Sequence, residues 1–238
     1  MCAGVAIQLF TLGIPCIYYG TEQAFAGPAH SQLRWLTAES WGGGDHADRY
    51  LREAMFGPDH PRAGHDRPLP QQIQDLDESL PGFGPFGTAG SHVFDTTSPS
   101  YVRIAALCAA RGAHPVLRVG RQYPRQLRLP HTGFEFPAAG EVVAWSRILD
   151  RQEALIVVNA HGEERRGGDI AVAAELSPPG TLYEVIANTA HAAAGAGYSG
   201  SHPLGSTLPV RRHSPTEPAF LELRDIPPTE TVVLVRRP

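Results

Sequence analysis

The stretch that decides the fold is Gly13–Gln23, which reads GIPCIYYGTEQ. Residues 1–12 before it are apolar and uncharged, and they predict a buried helix that ends at Gly13 and is blocked by Pro15. The apolar run 14–19 is rich in β-branched and aromatic residues. It predicts a strand buried on both faces of a parallel sheet. Polar residues follow from Thr21 onward, and the carboxyl ends of such strands are where α/β folds bind their ligands.

The composition sets broad limits on the protein class. The 238 residues, 42% of them hydrophobic, suffice for one large domain or two modest ones with a packed core. A formal net charge of −4 does not favour nucleic acid or an anionic membrane as a partner. No apolar run is long enough to span a bilayer. Three widely spaced cysteines indicate buried thiols rather than a disulfide framework or a metal site.

The N-terminus does not read as a secretory signal. It lacks a basic region, and Ile14-Pro15 before Cys16 does not resemble a small-residue cleavage site. We therefore expect a cytoplasmic location.

The clearest helix signal begins at Ser98. Ser98 suits the N-cap and Pro99 the first helical position, where the missing N–H group costs nothing. Gly112 and then His114-Pro115 predict the end of this helix.

Beyond Gly120 the pattern changes to short strands with Gly- and Pro-rich turns. A run of Gly, Ala and Ser at 190–206 predicts a flexible loop between two of these strands. The absence of predicted helices between the strands favours an antiparallel sandwich. The strands are predicted at 141–147, 154–159, 170–172, 182–186, 219–223 and 231–235.

Two of these segments resemble the α-amylase family, glycoside hydrolase family 13. Residues 13–23 are similar to the turn of that family's last barrel strand. Residues 111–120 are similar to the exit of its last barrel helix, an Arg followed by His-Pro-x-Leu-Arg-x-Gly. The resemblance implies an α/β fragment, the end of a TIM (β/α)8 barrel, at 1–119. It implies an all-β antiparallel sandwich domain at 120–238.

The resemblance also implies a substrate-binding loop. Asp48 and Arg52 match a family pattern, D-x-x-x-R, that lines glucose subsites. A carboxylate and a guanidinium suit sugar hydroxyls, because one accepts and the other donates several hydrogen bonds. Trp41, with Trp35 in the same Gly-rich loop, predicts a surface on which a sugar ring stacks. The alternatives are an exposed ion pair for the first two residues and loop packing for the tryptophans.

The family's chemistry depends on three carboxylates, carried on the fourth, fifth and seventh barrel strands. In the family's order those strands precede the region matched here, so no catalytic residue is assigned. Glu22 is expected to be structural. We expect part of a retaining glycosidase that acts on α-glucosidic bonds of starch-like glucans and is inactive alone. Its expected partners are an α-glucan or maltooligosaccharide and a missing N-terminal barrel, which is either truncated from this chain or carried by a separate one. No cofactor is expected; calcium, common in the family, has no site assigned here, and no metal ligand is identified.

Three other interpretations stay open. In the first, the chain is a non-catalytic carbohydrate-binding module, which the tryptophan pair and the sandwich favour. In the second, it belongs to a transglycosylase of the same family, of the glucanotransferase or trehalose synthase type. In the third, it is a structural remnant that needs a partner chain to cover the run 14–19.

Overall fold

The structure is a computed structural model, and it describes residues 1–23 and 96–238. The chain divides into two compact units. One unit consists of residues 1–16 together with 102–238, and the other of residues 17–101. The domain boundary expected at residues 119–120 stays a prediction. Elements are labelled below in chain order within the described residues.

Three helices lie near the two chain segments that resemble the barrel end. Helix α1 spans Cys2–Phe10 and buries Leu9 and Phe10, as the apolar sequence predicted. Helix α2 spans Pro99–Ala113. Its predicted N-cap is confirmed, because the Ser98 hydroxyl accepts a hydrogen bond from the Tyr101 N–H at 3.2 Å. Helix α3, Pro115–Val119, was not predicted. It begins directly at the proline that was expected only to stop α2.

The predicted strand at 14–19 is wrong. These residues have no regular secondary structure, and the side chain of Ile14 is 97% exposed. A parallel strand requires neighbouring strands to satisfy its backbone groups, and no strand pairs with this run among residues 1–23 and 96–238. The apolar sequence is therefore strand-like, but its backbone adopts an irregular path that ends in a 3₁₀ turn at Thr21–Gln23.

The rest of the described chain forms an antiparallel sandwich, which confirms the predicted fold of this region. Of its nine strands, six form one sheet in the order β1-β3-β4-β9-β6-β7, and three form a second sheet in the order β2-β5-β8. The strands are β1 Arg121–Pro124, β2 Leu127–Arg128, β3 Val142–Leu149, β4 Gln152–Asn159, β5 Arg166–Ala171, β6 Leu182–Asn188, β7 Thr207–Pro209, β8 Phe220–Ile226 and β9 Thr231–Arg236.

All six predicted strands are present, and the short strands β1, β2 and β7 were missed. Strands β3 and β4 form a hairpin that is closed by Asp150-Arg151. Asp150 has φ 52°, a left-handed conformation that the short polar side chain of Asp tolerates. Apolar residues of both sheets meet in one core, in which Leu155, Val157 and Leu234 from the larger sheet pack with Ile170 and Leu221 from the smaller.

Strand β3 joins the helices to the sandwich through two neighbouring side chains. The Trp145 indole N–H donates to the Phe10 carbonyl at 3.0 Å. Arg147, with no exposed surface, donates to Phe10 at 2.8 Å and to Gly120 at 2.7 Å. These carbonyls lie just at the ends of α1 and α3, so the sandwich holds both helix ends in place.

The segment predicted as a flexible loop contains regular structure. Helix α4 spans Thr189–Ala194, and a 3₁₀ turn follows at Gly195–Gly197. The Asn188 side chain caps α4 by accepting from the His191 N–H at 3.2 Å. Alanine has the highest helix propensity, and an Asn N-cap placed before a helix with four alanines outweighs the Gly and Ser residues that follow.

Candidate functional site

The three predicted substrate-binding residues, Trp41, Asp48 and Arg52, lie outside the described residues. Trp35 lies outside them as well. The predicted sugar-binding loop therefore stays a prediction.

The polar end of the deciding stretch forms a compact turn in the unit of residues 17–101. Gly20 has φ 83°, a conformation that favours glycine, and the Thr21 N–H donates to the Tyr18 carbonyl at 3.2 Å. The Tyr18 and Tyr19 rings lie 4.4 Å apart, centroid to centroid. The Glu22 carbonyl lies 3.5 Å from the Ser98 hydroxyl, which also caps α2. This hydrogen bond, donated by the Ser98 side chain to the Glu22 carbonyl, links the turn to the start of α2.

A groove lies beside α4 in the described part of the sandwich. It has a volume of about 660 Å³. Three parts of the chain line it, namely the loop between β4 and β5, helix α4 with the residues after it, and the end of β8. The side chains that carry polar groups there are those of Arg165, Tyr198, Ser199, Ser201 and Asp225. We call this surface the α4 groove.

Tyr198 is held rigidly in the wall of the α4 groove. Its hydroxyl donates to the Ser201 carbonyl at 2.5 Å and accepts from the Asn188 side chain at 3.2 Å. Its ring stacks on the His191 ring, with centroids 4.9 Å apart and planes 19° apart. Gly200 leaves room for this ring, because a Cβ atom there would lie 2.6 Å from the Tyr198 hydroxyl. The aromatic wall is thus formed before any ligand arrives.

Two opposite charges stand at the rim of the α4 groove. Both Arg165 and Asp225 are exposed, and the guanidinium donates to the Asp225 backbone carbonyl at 2.9 Å. Within the described residues this is the single hydrogen bond of Arg165, and the Asp225 carboxylate takes part in neither a hydrogen bond nor an ion pair there. Asp225 has φ 53°, which its short polar side chain tolerates. The rim therefore offers free N–H donors beside a free carboxylate.

A second polar cluster, centred on Glu153, is structural. Its fully buried carboxylate accepts from Arg125 at 2.7 Å, Tyr183 at 2.7 Å and Ser146 at 2.5 Å. Burial and the Glu153 charge raise the pKa of Tyr183, so its phenol stays protonated and donating. With its partners satisfied, this carboxylate links strands β3, β4 and β6 of the larger sheet and is not available to a ligand.

A third cluster, on the smaller sheet, is also internally paired. Asp169 accepts from Arg128 at 2.6 Å and from Arg224 at 2.6 Å. The Arg128 guanidinium lies over the rings of Phe134 and Phe220. Each charge has an opposite charge or an aromatic face beside it, so the cluster stabilises the sheet surface.

The described residues contain no group of three or more His, Cys, Asp or Glu side chains placed to hold a metal ion. Of the helices in this same part of the chain, none has the length and apolar character needed to cross a membrane.

Sequence reasoning missed the α4 groove because it treated residues 190–206 as one flexible loop. Two signals in that segment pointed elsewhere. Asn188 precedes a run of alanines, which indicates an N-capped helix. Tyr198 is an isolated aromatic residue among Gly and Ser, and a large aromatic side chain indicates a segment that packs against the domain rather than a flexible linker.

No family model and no curated protein matches this sequence. Several solved structures do match it. A mutant of MutB in complex with glucose is 16% identical with a TM-score of 0.51, and covers 99% of this chain and 38% of its own. An inactive double mutant of MutB in complex with isomaltulose is 15% identical with a TM-score of 0.50, at the same coverage. The γ-CGTase from alkalophilic Bacillus clarkii is 15% identical with a TM-score of 0.50, and covers 98% of this chain and 22% of its own.

MutB is named a trehalulose synthase. The chain spans about two fifths of the length of MutB and about one fifth of the CGTase. At this level of identity the likeness is one of fold. The matched structures are α-amylase-family enzymes, and the protein described here has the fold of their C-terminal part.

Proposed function

We propose that this chain is the C-terminal part of an α-amylase-family enzyme that acts on α-glucosidic bonds with retention of configuration. The observation that carries the proposal is the fold match, which covers 98–99% of this chain but 22–38% of the matched enzymes. The two family-like segments at 13–23 and 111–120 support it independently, because they occur in the family's order.

The chemistry needs two carboxyl groups about 5 Å apart across a bound sugar. In the described part of the chain, Glu153 is paired with Arg125 inside the sandwich, and Asp169 is paired with Arg128 and Arg224 on the smaller sheet. The α4 groove has one carboxylate, Asp225, among its lining residues. This arrangement supports an enzyme part that is inactive alone and relies on carboxylates carried by preceding barrel strands.

Transfer rather than hydrolysis is a second candidate reaction. The matched structures are named a trehalulose synthase and a CGTase, and MutB is complexed with isomaltulose or glucose. Those names favour a sugar as the substrate class, with a second sugar as the acceptor. The residues that distinguish hydrolysis from transfer are expected in barrel loops outside this chain.

Exposed apolar side chains after α1 support a missing barrel neighbour. Leu12 is 64% exposed and Ile14 is 97% exposed, although both follow a helix that buries one face. In a completed barrel these side chains would be covered, which fits the strand-like sequence of residues 14–19.

The test has two parts. The chain alone, incubated with maltoheptaose, starch or sucrose, is expected to release no sugar above a protein-free blank. Turnover that Glu22→Gln abolishes would contradict the proposed inactivity. The coding sequence upstream of Met1 is then read, and an in-frame extension with three carboxylate motifs is expected. The enzyme encoded by the extended sequence should release a sugar that NMR detects first as the α-anomer. A stop codon directly upstream, with no separate barrel gene beside it, would overturn the assignment.

A further inference from the structure

We propose that the α4 groove is a non-catalytic binding site for a neutral oligosaccharide. The groove encloses about 660 Å³, which lies within the ~300–1,000 Å³ typical of small-ligand sites. Its open form accommodates a chain of sugar units rather than a single enclosed molecule. The choice of an α-glucan as this oligosaccharide rests on the proposed function.

The aromatic wall supplies the apolar part of the recognition. Because its hydroxyl is hydrogen-bonded to Ser201 and Asn188, the Tyr198 ring needs no ordering when a ligand binds. An immobile aromatic ring offers an apolar surface to the C–H face of a sugar. The stacked His191 ring and the space left by Gly200 fix the position of that surface.

The rim charges suit a neutral, hydroxyl-rich ligand. Arg165 and Asp225 carry one positive and one negative charge, so the rim has no net charge that would favour an anion or a cation. A sugar hydroxyl both donates and accepts, and it satisfies the two groups together. The hydrogen bond from Arg165 to the Asp225 carbonyl already orients the guanidinium, which lowers the entropy lost on binding.

The site binds sugar without cleaving it. Retaining cleavage requires a pair of carboxyl groups, and Asp225 is the one carboxylate among the groove's lining residues in the described part of the chain. The groove therefore holds a glucan on the sandwich and adds avidity to an active site formed elsewhere.

Titration calorimetry of the full chain with maltoheptaose tests the site. We expect Arg165→Ala to weaken binding about tenfold or more, because it removes charge-assisted hydrogen bonds. Asp225→Asn keeps a residue that tolerates the left-handed backbone and removes the charge, and it is expected to weaken binding less. Arg212→Ala is the matched control. Arg212 is likewise exposed and donates to one backbone carbonyl, that of Glu217, but lies outside the groove. The dissociation constant of the Arg212→Ala variant for maltoheptaose should differ from that of the parent by less than about twofold.

Gly200→Ala tests the aromatic wall without deleting a polar group. The added methyl group would meet the Tyr198 hydroxyl and displace the ring, so binding should weaken while the melting temperature of the sandwich changes little. Equal affinity in Arg165→Ala, Gly200→Ala and Arg212→Ala would overturn the site. So would the absence of maltoheptaose binding at ~10 mM ligand.

Two further measurements separate this site from the proposed function. Trp41→Ala should leave maltoheptaose binding at the groove intact. If binding is lost in Trp41→Ala and kept in Arg165→Ala, the sugar binds at the predicted loop, and the groove is not the binding site. The second measurement uses cellohexaose instead of maltoheptaose. If cellohexaose binds and maltoheptaose does not, and Arg165→Ala weakens that binding, the groove is a sugar site but the α-glucan specificity of the proposed function is contradicted.

Discussion

At the scale of single residues, Arg147 is a charged side chain that backbone carbonyls hold in the described structure. It is fully buried, and all five of its N–H···O contacts go to backbone carbonyls, those of Phe10, Thr11, Arg118 and Gly120. Burial and the nearby Arg111 lower its pKa. The carbonyls belong to the C-terminal ends of α1 and α3, where the helix dipoles favour a cation. The charge is therefore stabilised by two helix ends rather than by an acid.

Replacing this arginine should destabilise the fold strongly. We expect Arg147→Met to lower the free energy of unfolding by about 3–5 kcal/mol, because several buried carbonyls lose their donors at once. Arg118→Met is the control, since Arg118 is exposed and donates to carbonyls at the end of α2; its cost should be about 0.5–1 kcal/mol. Urea denaturation measures both. Equal losses would mean that the buried contacts do not govern stability.

His202 should make stability depend on pH. Burial lowers the pKa of this ring from its ordinary 6.5, and the Arg224 carbonyl, 3.1 Å from Nε2, opposes the shift. The unfolded chain thus takes up the proton first as pH falls, so the stabilisation is complete above about pH 6.5 and is lost as pH falls toward the lower folded-state pKa.

The contribution of His202 is isolated by a variant that suits its backbone. His202 has φ 58°, and His202→Asn keeps a residue that tolerates this conformation. Between about pH 7.5 and 5.5 the melting temperature of the parent should fall more than that of His202→Asn. Parallel pH curves for the two proteins would contradict the assignment.

At the scale of elements, close packing requires a glycine at position 120, the last residue of the family-like segment 111–120. A Cβ atom on Gly120 would collide with the Val116 carbonyl and lie 3.0 Å from the backbone nitrogen and oxygen of Ile148. The end of α3 therefore packs directly on β3, and no side chain fits between them. The same carbonyl of Gly120 accepts from Arg147.

Two glycines only eight positions apart should respond in opposite directions. Gly120→Ala is expected to lower the unfolding free energy by about 2 kcal/mol or more, because the backbone contact must open. Gly112→Ala, inside α2 with nothing within 4 Å of the added methyl group, should raise it by up to about 1 kcal/mol. Chemical denaturation of both variants checks this, and destabilisation of the same size in each would contradict the close approach at Gly120.

At the scale of the whole molecule, α1 and the sandwich form one compact unit although the chain separates them by more than a hundred residues. Trp145 reports on this contact through its hydrogen bond to Phe10. A chain of residues 99–238 contains Trp145 as its single tryptophan. We expect its emission to shift to the red and its melting temperature to fall, since the helix that covers β4 is missing.

A peptide of residues 1–16 should reverse both changes when added to that shorter chain. The reference is the full chain with Trp35→Phe and Trp41→Phe, in which Trp145 is again alone. Identical emission from the shorter chain and this reference, before any peptide is added, would show that α1 does not contribute to the unit.

Local patterns were enough for much of this protein. The Ser98 cap and Pro99 predicted the start of α2, and alternating or continuous apolar runs predicted six strands of the sandwich, because capping and burial act over a few neighbouring residues. The segments 13–23 and 111–120 also predicted the fold relationship. The candidate sugar loop with Trp41, Asp48 and Arg52 remains a sequence-based prediction.

The sequence by itself determined helices α1 and α2, six of the nine strands in the described residues, the antiparallel sandwich and the likeness to the end of an α-amylase-type chain. Only the tertiary structure decided that residues 14–19 are not a strand, since pairing depends on neighbours that the local sequence does not specify. It also brought Arg165, Tyr198 and Asp225 to one groove. Those residues come from a loop, a segment after a helix and a strand end, and no local periodicity relates positions that meet only when the sheets fold together.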